Sequence, residues 1–256
     1  MEKYNSINEV FNIRLQQQID GVLPQRFVYE LGMPSEALLY AGVENLPIEM
    51  SASTLTKKSD NDYISNHPFE LSEIKNLPLA IQCPIAVFDS EERNGKKVVL
   101  TEIVQNGNNF IAILDIIKLR GRNANVINSI ISLYAKESNG RIAKWFDSEF
   151  AKLTPKGGTA LLQWADTKKA SNWLTNHVSD VRAVGMSSRR IANIINSFAD
   201  CQFFEENSLQ GEDEHTTENK ANSLLLAKAK LKAKMARLKL MEIVSVDGVG
   251  TKKTIP

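Results

Sequence analysis

Between Pro84 and Ile117 three short runs rich in β-branched and aromatic residues are separated by turn signals, and this pattern restricts the fold more than any other part of the chain. The runs are Pro84 to Asp89, Lys97 to Val104 and Asn109 to Ile117, and the breaks between them carry Glu-Arg-Asn-Gly and Asn-Gly. Gly and Asn tolerate the positive φ that tight hairpins require, so the pattern predicts a three-stranded antiparallel meander. Val126 to Tyr134, apolar with Ser and Asn interspersed, reads as a further strand, and Leu161 to Ala165 as another.

Helical periodicity surrounds these runs. Ile7, Val10, Phe11, Leu15 and Ile19 recur at spacings of three and four and predict an amphipathic helix ending at Gly21. Ser35 and Gly42 bracket a second helix over Glu36 to Ala41, and a third helical turn begins at Ser51 or Ser53 and runs toward Lys57. The polar stretch Lys57 to Asn66 reads as a surface loop. Leu71, Ile74 and Leu77 stand three apart, and Pro78 is expected to end the helix they define. Arg141 to Phe150, Thr167 to Leu174 behind an Asp166 cap, and Ser188 to Phe198 complete the helices.

The predicted class is α+β: N-terminal helices packed on a small antiparallel sheet, with a C-terminal helical extension. A chain of 256 residues with 43% hydrophobic content suits one main domain, taken as residues 1–200. Residues 201–220 are acidic, poor in apolar residues, and read as a disordered linker. Residues 221–256 read as a basic amphipathic helix and tail. There Leu224, Ala227, Leu231, Met235 and Leu238 form one face, and lysines from Lys220 toward Met241 flank it. A net charge of +1 means that any pull on nucleic acid must come from a local patch. Cys83 and Cys201 are too far apart in sequence for a CxxC pair, and a reducing compartment is the simplest reading. The N-terminus has no leader pattern and no run approaches the roughly 18 apolar residues of a membrane span, so no membrane partner is expected.

An ordered set of short segments carries a more specific signal. Leu31-Gly32-Met33-Pro34-Ser35-Glu36 and Leu46-Pro47-Ile48-Glu49-Met50-Ser51-Ala52-Ser53 are followed by His67-Pro68-Phe69-Glu70-Leu71-Ser72-Glu73-Ile74-Lys75-Asn76-Leu77-Pro78. Pro84-Ile85-Ala86-Val87-Phe88, Val99-Leu100-Thr101-Glu102 and Ser132-Leu133-Tyr134-Ala135-Lys136 then close the set. It resembles the C-terminal domain of phage MuF-type minor head proteins and related polymorphic toxins of mobile elements. The resemblance covers roughly the first two-thirds of the chain. It implies a metal-independent RNase of the broad barnase, EndoU, colicin and RelE-like group, acting in the cytoplasm of a bacterial host after delivery by a virion, a secretion machine or a fusion partner. Ala151 to Thr159 departs from the pattern as an insertion.

Cleaving RNA without a metal takes a base for the 2′-OH, an acid for the 5′-oxygen and cationic or hydrogen-bonding groups on the phosphorane. Metal-binding HExxH, paired-carboxylate and clustered Cys/His patterns are missing from the sequence, and no cofactor is expected. The candidate catalytic residues are His67, Tyr134, Lys136 and Glu102; the candidate phosphate ligands are Ser51, Ser132, Arg120 and Arg122. His67 titrates near neutral pH, and it reads equally as a helix cap. Ser51 and Ser53 suit a phosphate at a helix N-terminus, with an ordinary N-cap as the alternative. Ser132, Tyr134 and Lys136 alternate, so a strand would project all three from one face. Glu102 either orients His67 or Lys136, acts as a base, or pairs with a lysine across the sheet. Arg120 and Arg122 flank Gly121 in a turn suited to gripping phosphate, or form a solvated tip. Trp145, Trp164 and Trp173 sit at apolar positions and read as core, while His177 and His215 match nothing.

Three functions follow as expectations: an endoribonuclease; a non-catalytic phage or mobile-element module that binds a host, defence or immunity protein; and, for the tail from Lys220 to Met241, binding to nucleic acid, to an acidic partner or to itself.

Overall fold

In the computed structural model the described residues are 2–24, 26–59, 69–90, 95–118, 126–136, 139–147 and 160–197. The expected linker and basic tail lie outside them. The chain begins with α1 (Glu2–Ile19), a short β1 (Val28–Glu30), α2 (Glu36–Tyr40), β2 (Ile48–Ser51) and α3 (Ala52–Ser59). A 3-10 turn (Leu71–Ile74) and α4 (Leu77–Gln82) lead into β3 (Ala86–Ser90), β4 (Lys97–Gln105), β5 (Asn108–Lys118) and β6 (Val126–Ala135). Then come α5 (Asn139–Trp145), β7 (Ala160–Ala165), α6 (Thr167–Asn176), α7 (Val178–Ala183) and α8, residues 188–197.

The fold is α+β, as expected, and its sheet is larger than the meander alone. Among the described residues seven strands run in the order β1-β2-β6-β5-β4-β3-β7. The predicted meander is its centre, with β3, β4, β5 and β6 antiparallel in turn. The sheet is nevertheless mixed, because β2 pairs with β6 in parallel, Ile48 beside Asn128 and Glu49 beside Ser129. Asn128 helps to hold this junction: its amide donates to the carbonyls of Glu44 and Leu46, both at 2.8 Å, in the turn that feeds β2.

Pro78 does not end a helix, contrary to the sequence reading; it lies in the first turn of α4. The break falls two residues earlier, at Asn76, whose φ of 63° is left-handed. Two asparagines of α1 hold it there. Asn12 accepts from the Asn76 backbone N–H at 2.9 Å, and the Asn8 and Asn12 amides both donate to Asn76 Oδ1, at 2.5 and 2.9 Å. Beyond such a break a proline costs nothing, since the first-turn N–H it lacks has no helical acceptor.

Each face of the sheet carries a core. Phe11 and Leu15 of α1, Leu38 of α2, Leu55 of α3 and Ile81 of α4 pack with Val99, Ala112, Leu114, Ile130 and Leu133 on the first face. Ile142 and Trp145 of α5, Trp173 and Leu174 of α6, Val181 of α7 and Ile191 of α8 pack with Phe88, Val98, Leu100 and Ile111 on the second. The second set of helices covers the β7, β3 and β4 half of its face. At β1, β2 and β6 the side chains opposite the first core, including Val28, Glu30, Glu49, Ser51, Ser132 and Tyr134, are exposed or half-buried.

Candidate functional site

The part of the second face at β1, β2 and β6, whose described side chains are exposed or half-buried, gathers part of the expected site. Ile130 and Leu133 both point into the first core, which strict alternation forbids. The break in register opposite Ile113 and Leu114 accounts for this: Ile113 faces Ser132 and Leu114 faces Ile130, so Ile131 is an extra residue in β6. Beyond this bulge Ser132 and Tyr134 alternate onto the second face, where Tyr134 packs beside the second core. Lys136 follows them. Its Nζ lies 6.0 Å from the centre of the Tyr134 ring and 5.5 Å from that of Trp145, within cation–π reach of both. The expectation that Ser132, Tyr134 and Lys136 share one side therefore agrees with the backbone register and these ring contacts.

Buried hydrogen bonds fix the end of the strand that carries Lys136. The Lys136 backbone N–H donates to the Asn109 carbonyl at 3.0 Å. The Asn109 amide donates to the Thr101 carbonyl at 2.9 Å, and its Oδ1 accepts from Trp173 Nε1 at 2.8 Å. Asn139, at the head of α5, donates to the Gly107 carbonyl at 2.7 Å and so ties that helix to the β4–β5 turn. Trp145 and Trp173 are buried, in keeping with a core role, and Trp164 packs half-buried against the first core.

Glu102 goes elsewhere. It sits within β4, where the register with β5 is irregular between Leu100 and Val104, and its side chain is 56% exposed. It pairs with Lys169 of α6 at 2.7 Å, and the same Lys169 donates to the Cys83 carbonyl at 2.9 Å. This is the lysine-pairing alternative of the three readings, and a pair so exposed adds little stability.

Ser51 ends β2, and its Oγ accepts from the Ser53 backbone N–H at 3.3 Å while lying 2.8 Å from Ser53 Oγ. It thus serves the start of α3, the capping alternative, while standing on the second face. His67, Arg120 and Arg122 lie outside the described residues, as do His215 and the Lys57 side chain. His177 is anchored on its own helix: Nδ1–H donates to the Trp173 carbonyl at 2.7 Å, and the ring lies against the Trp173 indole with centres 4.6 Å apart.

The sequence reading passed over Glu49. Its neighbours Ile48 and Met50 point into the first core, which leaves Glu49 on the second face, directly across from Glu30 of β1. Burial, and then the negative charge of Glu30, push its carboxyl above the usual range. The apolar–Glu–apolar alternation Ile48-Glu49-Met50 was the available signal. No three His, Cys, Asp or Glu side chains come together as metal ligands among the described residues, and none of their helices is long and apolar enough to cross a membrane.

The fold and this face define an α+β domain with a polar, partly open sheet surface. Residues 58–172 match the family model of the phage MuF C-terminal domain, so this middle segment of the chain is similar to that domain. The match takes in β3 to β7 and most of α6, with Tyr134, Lys136 and Glu102, and begins five residues beyond the Leu31 to Ser53 segments that opened the resemblance. No curated protein and no solved structure matches the chain.

Proposed function

We propose that the domain is a metal-independent endoribonuclease of a phage or other mobile element, acting inside a bacterial cell on RNA laid across the second sheet face at β2 and β6. One observation carries this reading: Ser132 and Tyr134 stand on one side of β6, and the Lys136 ammonium just beyond its end lies within cation–π reach of the Tyr134 and Trp145 rings. A phosphodiester there meets hydroxyl donors and a cation on a rigid backbone, the groups that stabilise a phosphorane and protonate a leaving oxygen. Attack by the 2′-oxygen on phosphorus, with loss of the 5′-oxygen, leaves a 2′,3′-cyclic phosphate and a 5′-hydroxyl. His67, Arg120 and Arg122 are further candidates for the same chemistry.

A second reading is a non-catalytic module that engages a host or defence protein. It draws on the outer side of α1, where Val10 and Ile13 are 58% and 60% exposed.

Incubating the full chain with labelled tRNA and mRNA in EDTA, beside Lys136→Ala and His67→Ala variants, separates the two. Fragments ending in 2′,3′-cyclic phosphate, diminished in the variants, support the nuclease. Intact RNA after incubation with the wild-type chain rejects it and leaves the binding module.

A further inference from the structure

We infer that Glu49 is the general base of this site, taking the proton from the attacking 2′-hydroxyl. The inference rests on the nuclease reading above. The site as read from the sequence lacks a described base, because Glu102 is paired with Lys169 on α6.

Strand register supplies one. Glu49 lies beside Ser129 of β6, on the same face as Ser132 and Tyr134. Five residues separate Ser129 from Tyr134 and the bulge absorbs one, so about 13 Å of strand separates the level of Glu49 from Tyr134. Ser132 stands between those levels. A phosphate set over Ser132 lies about 7 Å of strand from each level, a distance that the Glu49 and Tyr134 side chains cover by leaning along the sheet, the carboxylate toward the 2′-oxygen and the Tyr134 hydroxyl toward the leaving oxygen of the same phosphorus.

Glu49 takes the 2′-OH proton as the O2′–P bond forms. The P–O5′ bond then breaks, and O5′ leaves with its electron pair and receives the Tyr134 proton. Exchange with water restores both groups.

The surroundings suit a base that holds its proton above the ordinary carboxylate range. One row across the sheet runs Glu30, Glu49, Ser129 and Asp115. Asp115 is already paired with Lys96 at 2.9 Å, so Glu30 is the carboxylate that acts on Glu49, together with burial. A carboxyl raised in this way is a stronger base once ionised.

The test is the pH dependence of single-turnover RNA cleavage by wild type, Glu49→Gln and Glu30→Gln, with circular dichroism verifying the fold of each. A general base predicts a wild-type rate that climbs with pH and then levels off. Glu49→Gln lowers the plateau roughly 10²- to 10⁴-fold and abolishes the climb. Glu30→Gln moves the climb to lower pH, an effect that a merely structural Glu49 would not transmit. A folded Glu49→Gln chain that keeps the wild-type profile overturns the assignment and leaves the nuclease standing, even if its sequence preference changes. Absence of cleavage by wild type at every pH overturns the nuclease itself, and this assignment with it.

Discussion

The indole N–H of Trp173 donates to Asn109 Oδ1 at 2.8 Å, joining α6 to the middle of the sheet where both residues are buried. Because the other end of the Asn109 amide donates to the Thr101 carbonyl, removing this one side chain strands two buried polar groups. Asn109→Ala is expected to destabilise the domain by about 2–4 kcal/mol, and Trp173→Phe, which orphans one acceptor and loses ring volume, by about 1–3 kcal/mol. Urea unfolding of both variants and the double variant checks this, with coupling between the two expected.

Gly140 brings α5 close to the backbone of α7. A Cβ at this position would lie 2.5 Å from the Asp180 carbonyl oxygen and 2.8 Å from Val184 Cγ1. Backbone cannot yield as a side-chain tip can, so Gly140→Ala is expected to cost about 1–3 kcal/mol despite the better helix propensity of alanine. Thermal unfolding measures the loss, and Gly95→Ala is not an equivalent control because its φ of +79° strains any side chain.

Tyr29 titrates abnormally. It is 2% exposed, its hydroxyl lies 2.5 Å from Gln18 Oε1, to which it donates, and burial pushes it up to about 12. A folded value above the unfolded value of about 10 means that the stabilising contribution is complete below pH 10 and is lost as pH rises through about 12. Wild-type stability should therefore decline above pH 10, with a shallower decline in Tyr29→Phe, which starts about 1 kcal/mol lower for its lost hydrogen bond. Denaturant midpoints across this range check both.

Glu49 obeys the same sign. Its folded pKa is raised, so its contribution is complete below the ordinary carboxylate range and is lost as pH climbs through the folded value. Above the ordinary carboxylate range the raised pKa therefore costs stability. Glu49→Gln is expected to raise the melting temperature at pH 7 and to give little gain at pH 4, a pattern read by calorimetry at the two pH values.

Much of the framework was legible because it is local. Turn residues marked the meander, Ser35 and Gly42 marked α2, and Asp166 marked α6, where its side chain accepts from the Lys169 N–H at 2.8 Å. What escaped depends on contacts distant in sequence. The three residues of β1 have no pattern of their own, and the parallel pairing of β2 with β6 joins residues eighty positions apart. Pro78 read as a stop because nothing near it reveals that Asn8 and Asn12 would hold the break at Asn76.

The site divides the same way. Tyr134 and Lys136 were visible from alternation within one strand. The partner of Glu102 comes from α6, and the setting of Glu49 comes from a strand too short to recognise. Each required knowing which elements become neighbours.

The most direct test of a nuclease on this sheet face is the cleavage rate of Tyr134→Phe under single-turnover conditions in EDTA. Phenylalanine keeps the ring beneath Lys136 and against the second core while deleting the hydroxyl. Wild-type cleavage to 2′,3′-cyclic phosphate ends, slowed at least about 10²-fold in a variant that is still folded by circular dichroism, is the predicted result. A variant as fast as wild type, or a wild type that leaves RNA intact, contradicts it.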